Sequence, residues 1–308
     1  MQAADPSEAL DRAVRHHGRA DGGKGGRKDG PAVLVGLIGR GIQASRTPTM
    51  HEREGERLGL ACDYILIDFD QLGLADEALE AVLAAAEARG FAGLNVTHPY
   101  KQRVLAFLDG LSPEAEAIGA VNTVILRDGA RIGHNTDCWG FAESLRGAMA
   151  GTPLGAVVQF GAGGAGAAVA HALLDLGVRD LAIVDTDAAR AAALAARMGA
   201  RFPARVRACE ADAALFAACD GIVNTTPVGM DKYPGTPFPV AYLSPRHWVG
   251  EIVYFPRETA LLRAARDLGC RTLAGTGMAV CQAVRAFELF TGLTPDRHAM
   301  SRHFEAAA

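Results

Sequence analysis

The sequence predicts an α/β protein made of two successive blocks, the second a Rossmann-type nucleotide-binding unit. Three observations carry this expectation. Short β-rich runs alternate with longer helical ones from Pro31 onward, the alternation restarts near Leu154, and a glycine run of G-x-G-x-x-G form separates a strand from a helix in the second block. A chain of 308 residues can hold two domains that each bury a core. Charged residues at 21%, hydrophobic residues at 49% and a net charge of -4 describe an ordinary soluble protein with no basic footprint for nucleic acid.

Taken in order, residues 1–30 read as a disordered tail, because residues 21–30 carry no apolar side chain with which to join a core. Residues 33–38, 50–58, 64–69, 77–88 and 93–97 then read as βαβαβ, which implies a largely parallel sheet. Residues 120–126 have strand composition and end at Arg127-Asp128-Gly129, a hairpin-type turn, so an antiparallel ribbon closes this sheet. The second block runs through strands 156–160, 180–184, 206–208, 221–224 and 248–254 and helices 165–176, 188–198 and 259–268. The last two helical segments, 278–290 and 296–304, bring no strands of their own and must pack on an earlier sheet. The expected division is a substrate-binding and catalytic domain over 31–137, completed by 278–308, and a nucleotide-binding domain over 138–277, with the active site in the cleft between them.

Chemistry-bearing residues cluster at strand ends. In Gly93-Leu94-Asn95-Val96-Thr97-His98-Pro99-Tyr100-Lys101, the alternation of a strand puts Asn95 and Thr97 on one face, Pro99 stops the ladder, and Lys101 opens the next helix. Neutral hydrogen-bonding groups beside an amine suit a polyhydroxylated substrate that must lose a proton. The plainer reading is a strand-to-helix turn with a solvated lysine. Gly161, Ala162, Gly163, Gly164, Ala165 and Gly166 place backbone N–H groups and a helix N-terminus where a pyrophosphate would lie. Asp185 ends the next strand, where a carboxylate accepts from an adenine-ribose diol and repels the 2′-phosphate of NADP, so NAD is the expected cofactor. Asn224, Thr225, Thr226 and Pro227 follow a further strand on the same sheet edge, and Gly275-Thr276-Gly277-Met278 opens a helix. Six cysteines form no CxxC pair and no cluster with histidine, which points to reduced thiols, a cytoplasmic location and no metal site. No apolar run reaches membrane-spanning length, and the N-terminus lacks a secretory signal.

Together these motifs resemble the shikimate and quinate dehydrogenases. The resemblance rests on Ser45-Arg46-Thr47-Pro48 with Met50-His51, Asn95 to Lys101, Gly119-Ala120-Val121-Asn122-Thr123, Asn135-Thr136-Asp137, the glycine turn, Asn224-Thr225-Thr226-Pro227, Tyr254, and Met278 with Gln282, in family order over about residues 32–305. It implies reversible oxidation of a ring hydroxyl of quinate and shikimate, giving 3-dehydroquinate and 3-dehydroshikimate, as in the shikimate pathway of aromatic amino acid biosynthesis or in quinate catabolism. It also implies that Lys101 and Asp137 are the catalytic pair, that Ser45 and Thr47 bind the carboxylate, and that Thr97, Asn122, Tyr254 and Gln282 contact the substrate. Gly275 and Met278 join the cofactor side. Because a carboxylate favours the ammonium form of a neighbouring lysine, the pair is read as sharing its proton, and the plainer reading of Asp137 is a helix cap. His51 is read as structural.

Three features depart from the commonest family pattern: Thr47 replaces a serine, Cys281 stands where many members have histidine, and Asp185 lacks a basic cluster. The first and third, with His247-Trp248-Val249-Gly250, resemble the NAD-dependent quinate/shikimate branch. The alternatives are a biosynthetic shikimate dehydrogenase, an aminoshikimate-type relative, and a non-catalytic dinucleotide sensor. The expected partners are small molecules, with no nucleic acid or membrane, and the expected state is a monomer or homodimer.

Overall fold

The computed structural model describes residues 4–20 and 32–306. The chain divides into two compact units: one holds the residues up to Ala115, Ala120–Thr136 and those from Ala283 onward, the other Glu116–Gly119 and Asp137–Gln282.

The first unit begins with α1 (Pro6–Ala20), followed by β1 (Ala32–Gly39), α2 (Thr47–Arg57), β2 (Ala61–Asp68), α3 (Phe69–Leu72), α4 (Leu79–Ala88), β3 (Gly93–Val96), β4 (Gly110–Leu111), α5 (Pro113–Ile118), inside which a unit boundary falls, β5 (Thr123–Arg127) and β6 (Ala130–His134). Its sheet order is β2-β1-β3-β5-β6-β4, with β2, β1 and β3 parallel and β5 antiparallel to both β3 and β6. The β5–β6 turn has Asp128 at φ 55° and Gly129 at φ 74°, the left-handed pair that a two-residue hairpin matching strand twist requires. One sheet face carries Ile38, Ile65, Ile67, Leu94, Val96 and Val124 against α4, whose Leu79, Val82, Leu83 and Ala86 recur at helical spacing. The other face carries Val35, Leu37, Tyr64 and Ile125 under Ala286 and Phe290. With both faces covered, β1 has to be a nearly continuous apolar run.

The expected disordered tail is corrected for residues 6–20. Ala9 and Leu10 of α1 are fully buried in the α4 side of the core, Ala13 and Val14 pack beside them, and Arg89 donates to Asp11 Oδ1 at 2.8 Å. Two adjacent apolar pairs one turn apart make this narrow stripe, which the glycine-rich run after it overshadowed. Residues 21–31 lie outside the described residues.

The second unit contains α6 (Thr136–Ala148), which takes up the chain where the first unit ends. It continues with β7 (Ala156–Phe160), α7 (Gly164–Asp175), β8 (Asp180–Val184), α8 (Ala188–Arg201), β9 (Val206–Ala208), α9 (Ala213–Ala218), β10 (Gly221–Asn224), β11 (Trp248–Glu251), α10 (Ala260–Asp267) and β12 (Arg271–Leu273). Then comes α11 (Gly275–Thr291), inside which the unit boundary falls, and α12 (Arg297–Ala306) belongs to the first unit. The sheet order is β12-β11-β10-β7-β8-β9, every pair parallel. This is the doubly wound order, and its direction of winding reverses between β7 and β10. Gly221 makes room for the Trp248 indole, whose Nε1 donates to Pro153 O at 3.0 Å, so Trp248 has a packing role.

Some boundaries move. β11 stops at Glu251, three residues earlier than expected, because that side chain turns the following backbone out of the ladder. β4, α5, α9 and β12 are too short to show periodicity.

His51, on α2, is 1% exposed, and its ring lies 4.9, 5.7 and 5.9 Å from those of Tyr64, Phe287 and Phe290. Neither ring nitrogen has a hydrogen-bond partner among the described residues, and burial pushes its pKa down to about 3. The folded form therefore refuses a proton that unfolded His51 accepts below its ordinary 6.5, so stability is fully present above pH 6.5 and is lost as pH falls toward 3. Urea unfolding at pH 7.5 and pH 5 should show a smaller acid loss in His51→Leu than in wild type, by up to about 1.4 kcal/mol per pH unit. Equal losses would remove His51 as the cause.

Candidate active site

In the first unit the candidate residues stand on a buried polar ladder. The Tyr64 hydroxyl donates to Asn95 Oδ1 at 2.7 Å, Asn95 Nδ2 donates to Thr123 Oγ1 at 2.9 Å, and Thr123 Oγ1 donates to Asn122 Oδ1 at 3.1 Å. Asn122 Oδ1 also accepts the Thr136 N–H at 2.7 Å, and its Nδ2 donates to Thr136 Oγ1 at 2.9 Å. Asn95 is thus engaged inside the sheet, which corrects its expected place on a substrate-facing rim. Lys101 does not open a helix. It lies in a turn before a 3-10 helix, Arg103–Phe107, with its carbonyl accepting the Val121 N–H at 2.8 Å. Its neighbour Tyr100 is fixed by a hydroxyl bond to Asp76 Oδ1 at 2.8 Å and by ring packing on Phe69 at 4.7 Å. Thr97, half-buried, donates its N–H to Ile38 O at 2.9 Å. Asp137 lies in the first turn of α6, directly after the clamped Thr136, where a carboxylate suits the helix dipole.

Ser45 and Thr47 come together, with their hydroxyl oxygens 3.2 Å apart at the start of α2. The loop leading to them is held by Asp68, which accepts from Gly41 N, Ile42 N and Gln43 Nε2 at 3.0, 3.1 and 3.0 Å. Burial raises the Asp68 pKa, yet these bonds and one from Asp70 N–H outweigh it and leave the group below its ordinary value. Two hydroxyls at a helix N-terminus form an apt seat for a carboxylate.

In the second unit the glycine turn closes on itself. Gly161 has φ 101° and a Cβ there would crowd Thr225, whose Oγ1 donates to Phe160 O at 2.7 Å and to Gly161 O at 3.0 Å. A Cβ on Gly166 would collide with Gly161 O. By contrast, Gly163 is exposed with nothing within 4 Å of its would-be Cβ, leaving open the approach to the N-terminus of α7 that a pyrophosphate needs. Asp185, with a side chain 7% exposed, accepts the Ala162 N–H at 2.8 Å and the Asp187 N–H at 2.9 Å. Arg190 Nη1 lies 3.9 Å from its Oδ1 and Nη2 lies 3.4 Å from Asp187 Oδ2. The turn, Asp185 and Thr225 thus form one assembly at the carboxyl edge of the sheet, while Pro227 is exposed on the loop after β10. Gly275 lies against the backbone of Ile252 and Val253, one turn before Met278 on α11. Gln282 Nε2 donates to Ala279 O at 3.2 Å, and Tyr254 is exposed past the end of β11.

Among the described residues no group of three or more potential ligands could hold a metal, and no helix is long and apolar enough to cross a membrane. Family models for the shikimate dehydrogenase substrate binding domain and the shikimate 5′-dehydrogenase C-terminal domain match residues 37–124 and 275–302. A shikimate dehydrogenase (NADP(+)) of Streptomyces avermitilis is 54% identical over 86% of this chain and 92% of its own. A quinate/shikimate dehydrogenase (NAD(+)) of Corynebacterium glutamicum strain R is 49% identical over 89% of this chain and 98% of its own. The chain belongs to the shikimate/quinate dehydrogenase family. It is accordingly an oxidoreductase, and its fold matches the solved quinate dehydrogenase of Corynebacterium glutamicum in complex with NAD at a TM-score of 0.86, with 48% identity over 90% of this chain and 99% of that one.

Sequence reasoning overlooked the residues that brace this dehydrogenase's motifs. Buried Gln159 donates from Nε2 to Gly161 O and Gly166 O, both at 2.9 Å, and its signal was an amide in an otherwise apolar strand. Asp76, which receives Tyr100 and the Arg40 guanidinium at 2.7 Å, left no signal among exposed acidic residues. Glu251 is a buried carboxyl in a strand, pushed up to about 7 by burial against the pull of bonds from Val253, Asn224 and Thr259.

Gly166→Ala should open the turn by driving the new methyl into Gly161 O, lowering dinucleotide affinity by roughly tenfold or more while the first unit is untouched. Isothermal titration with NAD checks this, and unchanged affinity would show that the turn adapts.

Proposed function

We propose that this protein is an NAD-dependent quinate/shikimate dehydrogenase. The observation that carries the nucleotide half of this reading is Asp185, held by the N–H groups of Ala162 and Asp187 at the mouth of the glycine turn. A carboxylate offers about four lone-pair sites, so two backbone bonds and the Thr186 hydroxyl at 3.4 Å leave room for a ribose hydroxyl, whereas a 2′-phosphate would bring a second anion to the same place. The dinucleotide, when bound, supplies an oxidised nicotinamide that accepts hydride from the substrate carbon. Lys101 takes the proton that the ring hydroxyl releases as the carbonyl forms, and Asp137 shares that proton with it. Ser45 and Thr47 hold the substrate carboxylate, and Thr97, Asn122, Tyr254 and Gln282 orient the ring. Thr47 keeps the donor hydroxyl of a serine and adds a methyl that stiffens its first torsion.

A second reading is an NADP-dependent shikimate dehydrogenase. It is favoured by Arg190, a cation near Asp185, and by the NADP-using relative from Streptomyces. Steady-state rates for quinate and shikimate, each with NAD and with NADP, separate the two. The proposal expects both substrates to react and NAD to be preferred, and a higher kcat/KM with NADP overturns it.

Lys101→Ala should lower turnover by roughly 100-fold or more, the range for losing a positioned proton-transfer group, with NAD affinity little changed. Near-normal turnover would take Lys101 out of the mechanism. Asp185→Ser relieves the repulsion and releases Arg190 for a phosphate, so the NAD-over-NADP ratio of kcat/KM should fall about tenfold or more. A constant ratio places nucleotide choice elsewhere.

A further inference from the structure

Glu251 ends β11, is 1% exposed, and has no part in the roles assigned above. Its carboxylate receives donors from three places. Asn224 Nδ2, at the end of β10, lies 3.0 and 3.1 Å from the two oxygens, the Val253 N–H reaches Oε1 at 2.9 Å, and the Thr259 hydroxyl reaches Oε2 at 3.2 Å. Asn224 transmits the restraint: Nδ2 also donates to Val228 O at 2.8 Å, and Oδ1 accepts the Thr226 N–H at 3.0 Å and the Thr226 hydroxyl at 2.7 Å. Thr259 in turn caps α10 by accepting the Leu262 N–H at 3.2 Å. One carboxyl therefore ties together the loop after β10, the loop after β11 and the start of α10. Stability alone does not account for it, because a well-packed apolar group can often replace a buried charge without loss. What such a group supplies is fixed geometry in its partners.

Numbered by the doubly wound order, β7, β8, β10 and β11 are strands one, two, four and five. Asp185 directly follows strand two and the glycine turn follows strand one, so an adenosine half on the Asp185 side leaves the nicotinamide half to the ends of strands four and five. We propose that Glu251 is a positioning residue for that half, holding through Asn224 and the Val253 N–H the two loops on which the nicotinamide rests. The assignment depends on the dinucleotide reading above.

The test compares wild type, Glu251→Gln and Glu251→Asp at pH 8, measuring the dissociation constants of NAD and of ADP-ribose, which lacks the nicotinamide, together with kcat and KM. Glutamine turns an amide NH2 toward a set of donors and so breaks part of the clamp. Its ADP-ribose affinity should stay within about twofold of wild type, while NAD affinity, kcat or both fall by roughly tenfold or more. Aspartate keeps the charge one methylene shorter and should give the same pattern with a smaller loss, and it decides the matter if the glutamine variant does not fold. Equal weakening of NAD and ADP-ribose, or wild-type values in both variants, overturns the role of Glu251. Wild-type protein that prefers NADP is tested in the same way with NADP and 2′-phospho-ADP-ribose. Wild-type protein that binds neither dinucleotide overturns the underlying reading as well, and shows it before any variant is made.

Discussion

Every polar group sealed between the strands of the first sheet must find a partner there, and the ladder from Tyr64 through Asn95, Thr123 and Asn122 to Thr136 is how this sheet meets that demand. An orphaned buried donor or acceptor costs about 1–3 kcal/mol, so a one-residue slip of β3 against β5 would lose several bonds at once and turn their apolar neighbours to the wrong face. The register pairing Asn95 with Thr123 is therefore enforced twice, by the ladder and by the packing on either side. The same ladder fixes the catalytic candidates. Val121, next to Asn122, holds the carbonyl of Lys101, and Thr136, held by Asn122, precedes Asp137. Asn122 thus acts as a structural keystone in addition to its proposed contact with substrate.

The second unit solves a different problem by leaving atoms out. A pyrophosphate can approach backbone N–H groups only where no side chain intervenes, and the turn can be this tight only because Gly161 and Gly166 leave their backbones in contact. That tight turn is held by polar braces. Gln159 donates to the carbonyls of Gly161 and Gly166, Thr225 to those of Phe160 and Gly161, and Asp185 takes the N–H of Ala162. Asp185 consequently braces the turn in addition to its proposed contact with a ribose, so its replacement alters the turn as well as the charge.

The sequence made the alternation of strands and helices legible because each long strand is apolar and each long helix periodic, and the two-residue turn at Asp128 and Gly129 could be read from its residues alone. Motif residues stood out where chemistry breaks a pattern: glycines after a strand, an amide and hydroxyl at strand ends, a lone lysine after proline. Three kinds of feature did not stand out. The α1 helix depends on a stripe of only Ala9, Leu10, Ala13 and Val14, whose partner surface on α4 is distant in the chain. Asn95 has the look of a binding residue because an amide offers both donor and acceptor, and only the three-dimensional positions of Tyr64, thirty-one places earlier, and Thr123 show both to be used. Asp76, Gln159 and Glu251 act on the motifs from outside them: chain distance hides the links of Asp76 to Tyr100 and of Glu251 to Asn224, while Gln159, just before the glycine turn, shows only as an amide in an apolar strand.

Nucleotide choice shows the limit of overall likeness. Relatives at 54% and 49% identity carry different nucleotides in their names, yet identity over most of a chain chiefly averages the positions that maintain two shared sheets. Discrimination between a ribose diol and a 2′-phosphate depends on the charge within a few ångströms of one strand end, where two like charges 4 Å apart interact by about 4 kcal/mol at the effective dielectric of a protein surface. Arg190 offsets part of that repulsion, but it is shared with Asp187, and the two carboxylates it faces outnumber it. The local field at the end of β8 is thus net negative before any nucleotide arrives. Since no other part of a dinucleotide distinguishes the two cofactors, the proposed preference for NAD rests on that field and not on the rank order of similarity across the remaining chain.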